Sequence, residues 1–144
     1  MTRSGLSERE IAALVSVASR ARCAAHAPYS RFQVGAALVD TEDRVFVGCN
    51  VENASLGLSL CAERAAIAAA VAGGMQRLRA IVIVTEADPP ATPCGACRQW
   101  LREFGDDEVE VICAAETGAR RRFRLRDLLP DAFALPRDNG ADVR

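Results

Sequence analysis

The stretch Leu78-Arg79-Ala80-Ile81-Val82-Ile83-Val84-Thr85 decides the fold. A continuous apolar run of this length, rich in β-branched residues, reads as a strand covered on both faces and so as the centre of a sheet. Before it, an alanine-rich helix runs from about Cys61 to Ala72 and stops at Gly73-Gly74. After it, Asp88-Pro89-Pro90-Ala91-Thr92-Pro93 is a loop leading into a short helix that begins near Cys94. Val109–Ala114 is a further strand, Arg122–Leu125 a candidate fifth, and Arg126–Leu129 a helical turn closed by Pro130. Towards the N-terminus, Gln33–Asp40 and Arg44–Asn50 form a hairpin around Thr41-Glu42-Asp43, and Asn53–Ser59 is a loop. Residues 7–25 form an amphipathic first helix, with the capping box Ser7-Glu8-Arg9-Glu10 followed by Ile11, Leu14, Val15, Ala18 and Ala21. Strands alternating with helices predict an α/β layered sandwich: a mixed, roughly five-stranded sheet that starts with a hairpin and is flanked by helices. Residues 1–144 are expected to form a single domain, with a loose tail over about 136–144.

Composition agrees with one domain, since 144 residues that are 50% hydrophobic supply a sizeable core. The formal net charge is −1, and all 18 basic residues are arginine. A nucleic-acid surface is therefore not expected. The cluster Arg120, Arg121, Arg122, Arg124 and Arg126 alternates with Phe123 and Leu125, which suits a solvated edge strand or a subunit contact. No stretch has the length of a membrane span, and the first residues lack a signal peptide's apolar core, so a cytoplasmic location is expected. There cysteines stay reduced. Cys23, Cys49 and Cys113 lie singly in apolar surroundings and read as small buried hydrophobes.

The other three cysteines carry chemistry. Cys61-Ala62-Glu63 and Pro93-Cys94-Gly95-Ala96-Cys97 place two thiols three residues apart and a third beside a carboxylate, each set at the start of a helix. Three ligands leave one tetrahedral position on a zinc ion open for water, and Glu63 stands where it can handle that water's protons. Three thiolates exceed the ion's charge by one. The positive ends of two helices and the guanidinium of Arg64 are expected to offset the excess. A purely structural zinc would need a fourth ligand, and the single histidine, His26, reads as a turn residue.

The sequence resembles the small, homotetrameric, zinc-dependent cytidine deaminases. The likeness runs through Pro28-Tyr29-Ser30-Arg31-Phe32-Gln33-Val34-Gly35, Asn50-Val51-Glu52-Asn53-Ala54-Ser55, Cys61-Ala62-Glu63-Arg64, Pro93-Cys94-Gly95-Ala96-Cys97-Arg98-Gln99 and Leu128-Leu129-Pro130-Asp131-Ala132-Phe133. It implies hydrolytic deamination of cytidine and deoxycytidine in pyrimidine salvage, with one zinc per subunit on Cys61, Cys94 and Cys97. Glu63 would take a proton from the attacking water and deliver protons to N3 and to the departing amine. The resemblance also implies that Asn50 and Glu52 bind the ribose hydroxyls, that Phe32 covers the base face, and that the Ala62 backbone meets the base edge. Phe133 would reach a neighbouring subunit's pocket, placing active sites near the subunit interfaces of a homotetramer.

Read without the resemblance, Asn50 and Glu52 suit strand-end turns equally well, and Phe32 and Phe133 suit a core. Leu56 stands where the family commonly has tyrosine, and Trp100 where it has a small aliphatic residue. Trp100 is expected in the core behind the metal ligands, and Leu56 keeps a modified cytosine nucleoside open as the substrate. A polynucleotide-editing deaminase is disfavoured by Cys61, since that class commonly uses histidine there, and by the near-neutral charge. A non-catalytic nucleoside-binding protein is the remaining alternative.

Overall fold

The computed structural model describes residues 5–137. The tail predicted for 136–144 lies outside the described residues from 138 onward. Helix α1 (Glu8–Arg22) starts at Ser7, whose side chain accepts a hydrogen bond from the Glu10 N–H while the Glu10 carboxylate accepts one from the Ser7 N–H. This is the capping box read in the sequence.

The hairpin follows as β1 (Gly35–Asp40) and β2 (Val45–Cys49), then a 3₁₀ turn at Leu56–Leu58 and helix α2 (Ala62–Ala72). Next come β3 (Leu78–Thr85), α3 (Gly95–Phe104), β4 (Glu110–Ala115), β5 (Arg120–Arg124) and α4 (Leu125–Leu128). The sheet order is β2-β1-β3-β4-β5; only β3 and β4 run parallel, and the remaining neighbours are antiparallel. Leu78–Thr85 is thus the central strand, in an α/β sandwich with a mixed five-stranded sheet.

Burial explains why the inner strands lack polar alternation. Every residue of β1 and β4 is buried, because α1 covers one face of the sheet and α2, α3 and α4 the other. Ile11, Leu14 and Ala18 of α1 pack on Ala37, Val39, Val82 and Ile112. Ala62, Ala66, Ile67 and Ala70 of α2 pack with Leu38, Ile81, Ile83 and Leu101 on the opposite side.

Two glycines let the helices approach the sheet closely. A Cβ on Gly35 would lie 2.0 Å from the Ala18 carbonyl oxygen, and one on Gly48 would lie 2.4 Å from the Ala66 nitrogen and 2.7 Å from the Ala62 oxygen. Both obstacles are helix backbone, which cannot rotate aside as a side chain can. Gly48 therefore sets the seat of α2, whose first turn carries Glu63. Gly48→Ala is expected to cost about 3 kcal/mol of stability by overpacking, read as a lower urea midpoint of the zinc-loaded protein; an unchanged midpoint would show that α2 is not seated by this contact.

Three sequence expectations need correction. Cys23 is exposed, its thiol near the Ser19 carbonyl at 3.5 Å, because it sits at the C-terminal end of α1 beyond the face on the sheet; Cys49 is only partly buried. Cys113 alone behaves as a buried hydrophobe, and burial pushes its thiol pKa up to about 11. Trp100 is 38% exposed rather than in the core, because Cys97 and Leu101 occupy the buried stripe of α3.

The arginine cluster is an edge. β5 closes the sheet, Arg122 bonds the buried Glu110 carboxylate at 2.7 Å and Glu8 at 3.0 Å, and Arg121 stacks over Phe123. Glu110 also accepts the Leu6 N–H at 2.8 Å, so these charges fasten the N-terminal segment to the sheet.

Candidate metal centre

Cys61 and Cys94 are the N-cap residues of α2 and α3, both in extended backbone conformation, and neither thiol caps its own helix. A serine or aspartate in these positions would turn its oxygen back onto the first N–H groups. Cysteine leaves the sulfur directed away from the helix. Cys97 follows one turn into α3 and is fully buried.

The three Sγ atoms lie within 4.8 Å of one another, the only such group of candidate ligands among the described residues. Cys61 and Cys94 are 4.0 Å apart and Cys94 and Cys97 3.5 Å. Tetrahedral ligands on zinc at about 2.3 Å would be about 3.8 Å apart. The trio therefore has the donor chemistry and the spacing that zinc requires. His26 is exposed and outside the group.

Electrostatics distinguish Cys61 from Cys97. Cys61 is held well below the usual thiol range, at about 5, by hydrogen bonding from Cys97, with burial opposing and Arg64 reinforcing. Cys97 is pushed up by the same bond and by burial. Arg64 places Nη2 3.3 Å from the Cys61 sulfur and 3.3 Å from the Ser59 carbonyl oxygen. The guanidinium thus touches the sulfur whose thiolate form these contacts favour.

Glu63 is 5% exposed, and burial is the main cause that raises its carboxyl pKa. It lines a cavity of about 290 Å³ together with Phe32, Asn50, Glu52, Ala62, Cys61 and Cys94, at the C-terminal end of β3 where Ile83 and Thr85 form the wall. The structure thus gathers every sequence-identified site residue except Phe133 into or beside one cleft. Cys97 and Arg64 stand behind the lining. Phe133 is 69% exposed and lies in a different groove, beside Gln99 and Arg102.

Asn50 and Glu52 hold local backbone, as the turn reading expected, and both also line the cleft. The Asn50 amide donates to the Phe32 carbonyl and accepts from the Val34 N–H, each at 2.8 Å, and so holds the Phe32 segment against the cleft. Glu52 accepts from the Tyr29 and Ser30 N–H groups at 3.0 and 3.1 Å and from the Ser30 hydroxyl, and the Ser30 contact is the main cause that lowers its pKa. Spare capacity remains, because an amide offers two donors and two acceptor sites and a carboxylate about four acceptor sites. Residues 52–59 form a closed excursion, pinched at its base by reciprocal hydrogen bonds between Val51 and Leu60 of 2.9 and 2.8 Å.

Sequence reasoning missed Ser30, Ser59 and Thr92 as lining residues. Their only signal is position beside Phe32, Cys61 and Cys94.

Comparison with known proteins gives a consistent outcome. Residues 8–113 match the family model described as the cytidine and deoxycytidylate deaminase zinc-binding region. The chain is 48% identical over 118 residues to a cytidine deaminase of Mycobacterium tuberculosis, covering 82% of this chain and 85% of that one. It is 39% identical over 130 residues to a probable cytidine deaminase of Dictyostelium discoideum, covering 90% and 87%. The crystal structure of cytidine deaminase from Burkholderia pseudomallei is similar with a TM-score of 0.83 and 48% identity, over 89% of this chain and all of that one.

Proposed function

Because the chain belongs to the cytidine and deoxycytidylate deaminase family, we propose that it hydrolyses the C4 amine of cytidine and deoxycytidine, giving uridine or deoxyuridine and ammonia. The observation that carries this reading is the buried Glu63 carboxyl in one cleft with a three-thiol cluster spaced for zinc. A zinc ion on Cys61, Cys94 and Cys97, one per subunit, supplies a Lewis acid that makes water nucleophilic at neutral pH. Glu63 takes one proton from the water and delivers it to N3 of the pyrimidine, then takes the remaining proton of the hydroxyl added at C4 and delivers it to the amine, which leaves as ammonia. Its burial raises its pKa and so favours the protonated carboxyl that delivers these protons. Arg64 and the two helix N-termini offset the thiolate charge.

Phe32 covers the base face, the Ala62 backbone meets the base edge, and Asn50 and Glu52 bind the sugar hydroxyls through their spare capacity. Among the described residues, the cleft is lined by two carboxyl side chains and by no arginine or lysine. A phosphate would find no cationic partner there and would face Glu52, so the substrate is a free nucleoside rather than a nucleotide or a polynucleotide. Phe133, exposed in the single chain, reaches a neighbouring subunit's pocket in a homotetramer. Residues 1–144 act as one domain. No helix among the described residues is long and apolar enough to cross a membrane, and a cytoplasmic site of action fits the reduced thiols that zinc binding requires.

A spectrophotometric screen of zinc-loaded protein against cytidine, deoxycytidine, cytosine, CMP and adenosine tests the reading. Turnover of the first two alone is expected. If both stayed intact, or if CMP were the better substrate, the reading would be wrong.

A further inference from the structure

Arg98 is half-buried on α3, directly after Cys97, and its guanidinium spans three acceptors. Nε donates to the Pro93 carbonyl at 2.7 Å, Nη2 to the Thr92 hydroxyl at 3.2 Å, and Nη1 to the Leu128 carbonyl at 2.7 Å. Two of these partners form the entry to Cys94. The third is in the last turn of α4, among carbonyls that have no partner within their own helix. The next residue, Gln99, donates from Nε2 to the Phe133 carbonyl at 2.9 Å. Adjacent side chains on one helix therefore hold the loop that presents Cys94 and the segment that presents Phe133.

We propose that Arg98 is a positioning residue that joins the Cys94–Cys97 half of the metal centre to the segment carrying Phe133, so that metal retention and the placement of Phe133 respond to the same side chain. The proposal rests on the metal-ligand and Phe133 roles given above. Its physical basis is that only a planar guanidinium, with donors fixed in a fork, reaches all three acceptors at once. Removing it leaves the Pro93 and Leu128 carbonyls unpaired and lets the Cys94 loop and α4 move independently. Lysine keeps the charge but reaches one acceptor at a time.

Two readouts separate the halves of this link: the rate of zinc release to a chelator, and KM for cytidine at saturating zinc. Arg98→Ala is expected to release zinc about tenfold faster or more, as the loss of a partner behind a metal ligand typically does, and to raise KM. Arg98→Lys should behave like Arg98→Ala in both, which would assign the effect to geometry rather than charge. Gln99→Ala, which leaves the Cys94 loop untouched, should raise KM and leave zinc release unchanged. In a Phe133→Ala background Arg98→Ala should add nothing further to KM while still accelerating zinc release.

Unchanged zinc release in both Arg98 variants overturns the proposal. So do KM effects of Arg98→Ala and Phe133→Ala that simply multiply, since the two would then act independently. If Phe133→Ala alone left KM unchanged, the role of Phe133 itself would fall and the link with it, an outcome distinguishable from additivity.

Discussion

Glu63→Gln is expected to bind zinc and cytidine with little change and to lose turnover by about 10² to 10⁴-fold, the range that a positioned general acid–base contributes. The amide has almost the volume of the carboxyl, so the closely packed floor of the cleft, where Ala62 and Ala66 are fully buried, stays filled. What it cannot do is accept a proton from water and hand it on. Burial acts in the same direction, because the surroundings that raise the pKa of Glu63 favour its protonated form during the reaction. The variant separates two roles of the residue. A fall in kcat with KM nearly constant marks an interaction made only in the transition state. Rising KM with constant kcat would instead make Glu63 a substrate-holding group, and retained full turnover would remove it from the chemistry. Zinc content measured alongside guards against a trivial explanation.

Cys97→Ala is expected to abolish stoichiometric zinc and activity together, and to lower Tm by about 10 °C relative to the zinc-loaded protein. The magnitude follows from linkage: an ion at a thousandfold its Kd stabilises by about 4 kcal/mol, and in a chain of this size each kcal/mol shifts Tm by about 2–4 °C. Cys97 is the right member of the trio to alter, because it is fully buried while Cys94 is exposed. Alanine in its place leaves two thiols, too few to hold zinc while keeping one position for water. Chelation of the unaltered protein should lower Tm by a similar amount. Differential scanning fluorimetry with and without chelator, beside metal analysis, checks both statements. If Cys97→Ala kept one zinc per chain, the ligand set would be wrong.

How much of this was legible in the sequence depended on how local the signal was. Leu78–Thr85 announced itself because both faces of a central strand are covered. The Ser7–Glu10 box marked a helix start through contacts within a few residues. The three-thiol cluster was legible because Cys61, Cys94 and Cys97 are tied to helix starts by their own neighbours. Trp100 and Cys23 misled because type and spacing do not fix which side of a helix meets the sheet, a matter decided by partners distant in sequence. Arg98 stood in a quoted motif without a role for a related reason: its hydrogen bond to the Leu128 carbonyl joins residues thirty positions apart, and neither stretch by itself encodes that meeting. The double duty of Asn50, holding Phe32 and Val34 from within the cleft, likewise needed coordinates.

The pinch between Val51 and Leu60 has a practical meaning for protein engineering. Residues 53–59 leave and rejoin the body at one point, carry Leu56 at 73% exposure, and contribute no metal ligand and no proton carrier. They form an exchangeable cassette. Libraries confined to residues 53–58 leave in place Ser59, which lines the cleft and holds Arg64 through its carbonyl, and so vary the exposed excursion without moving the helix starts.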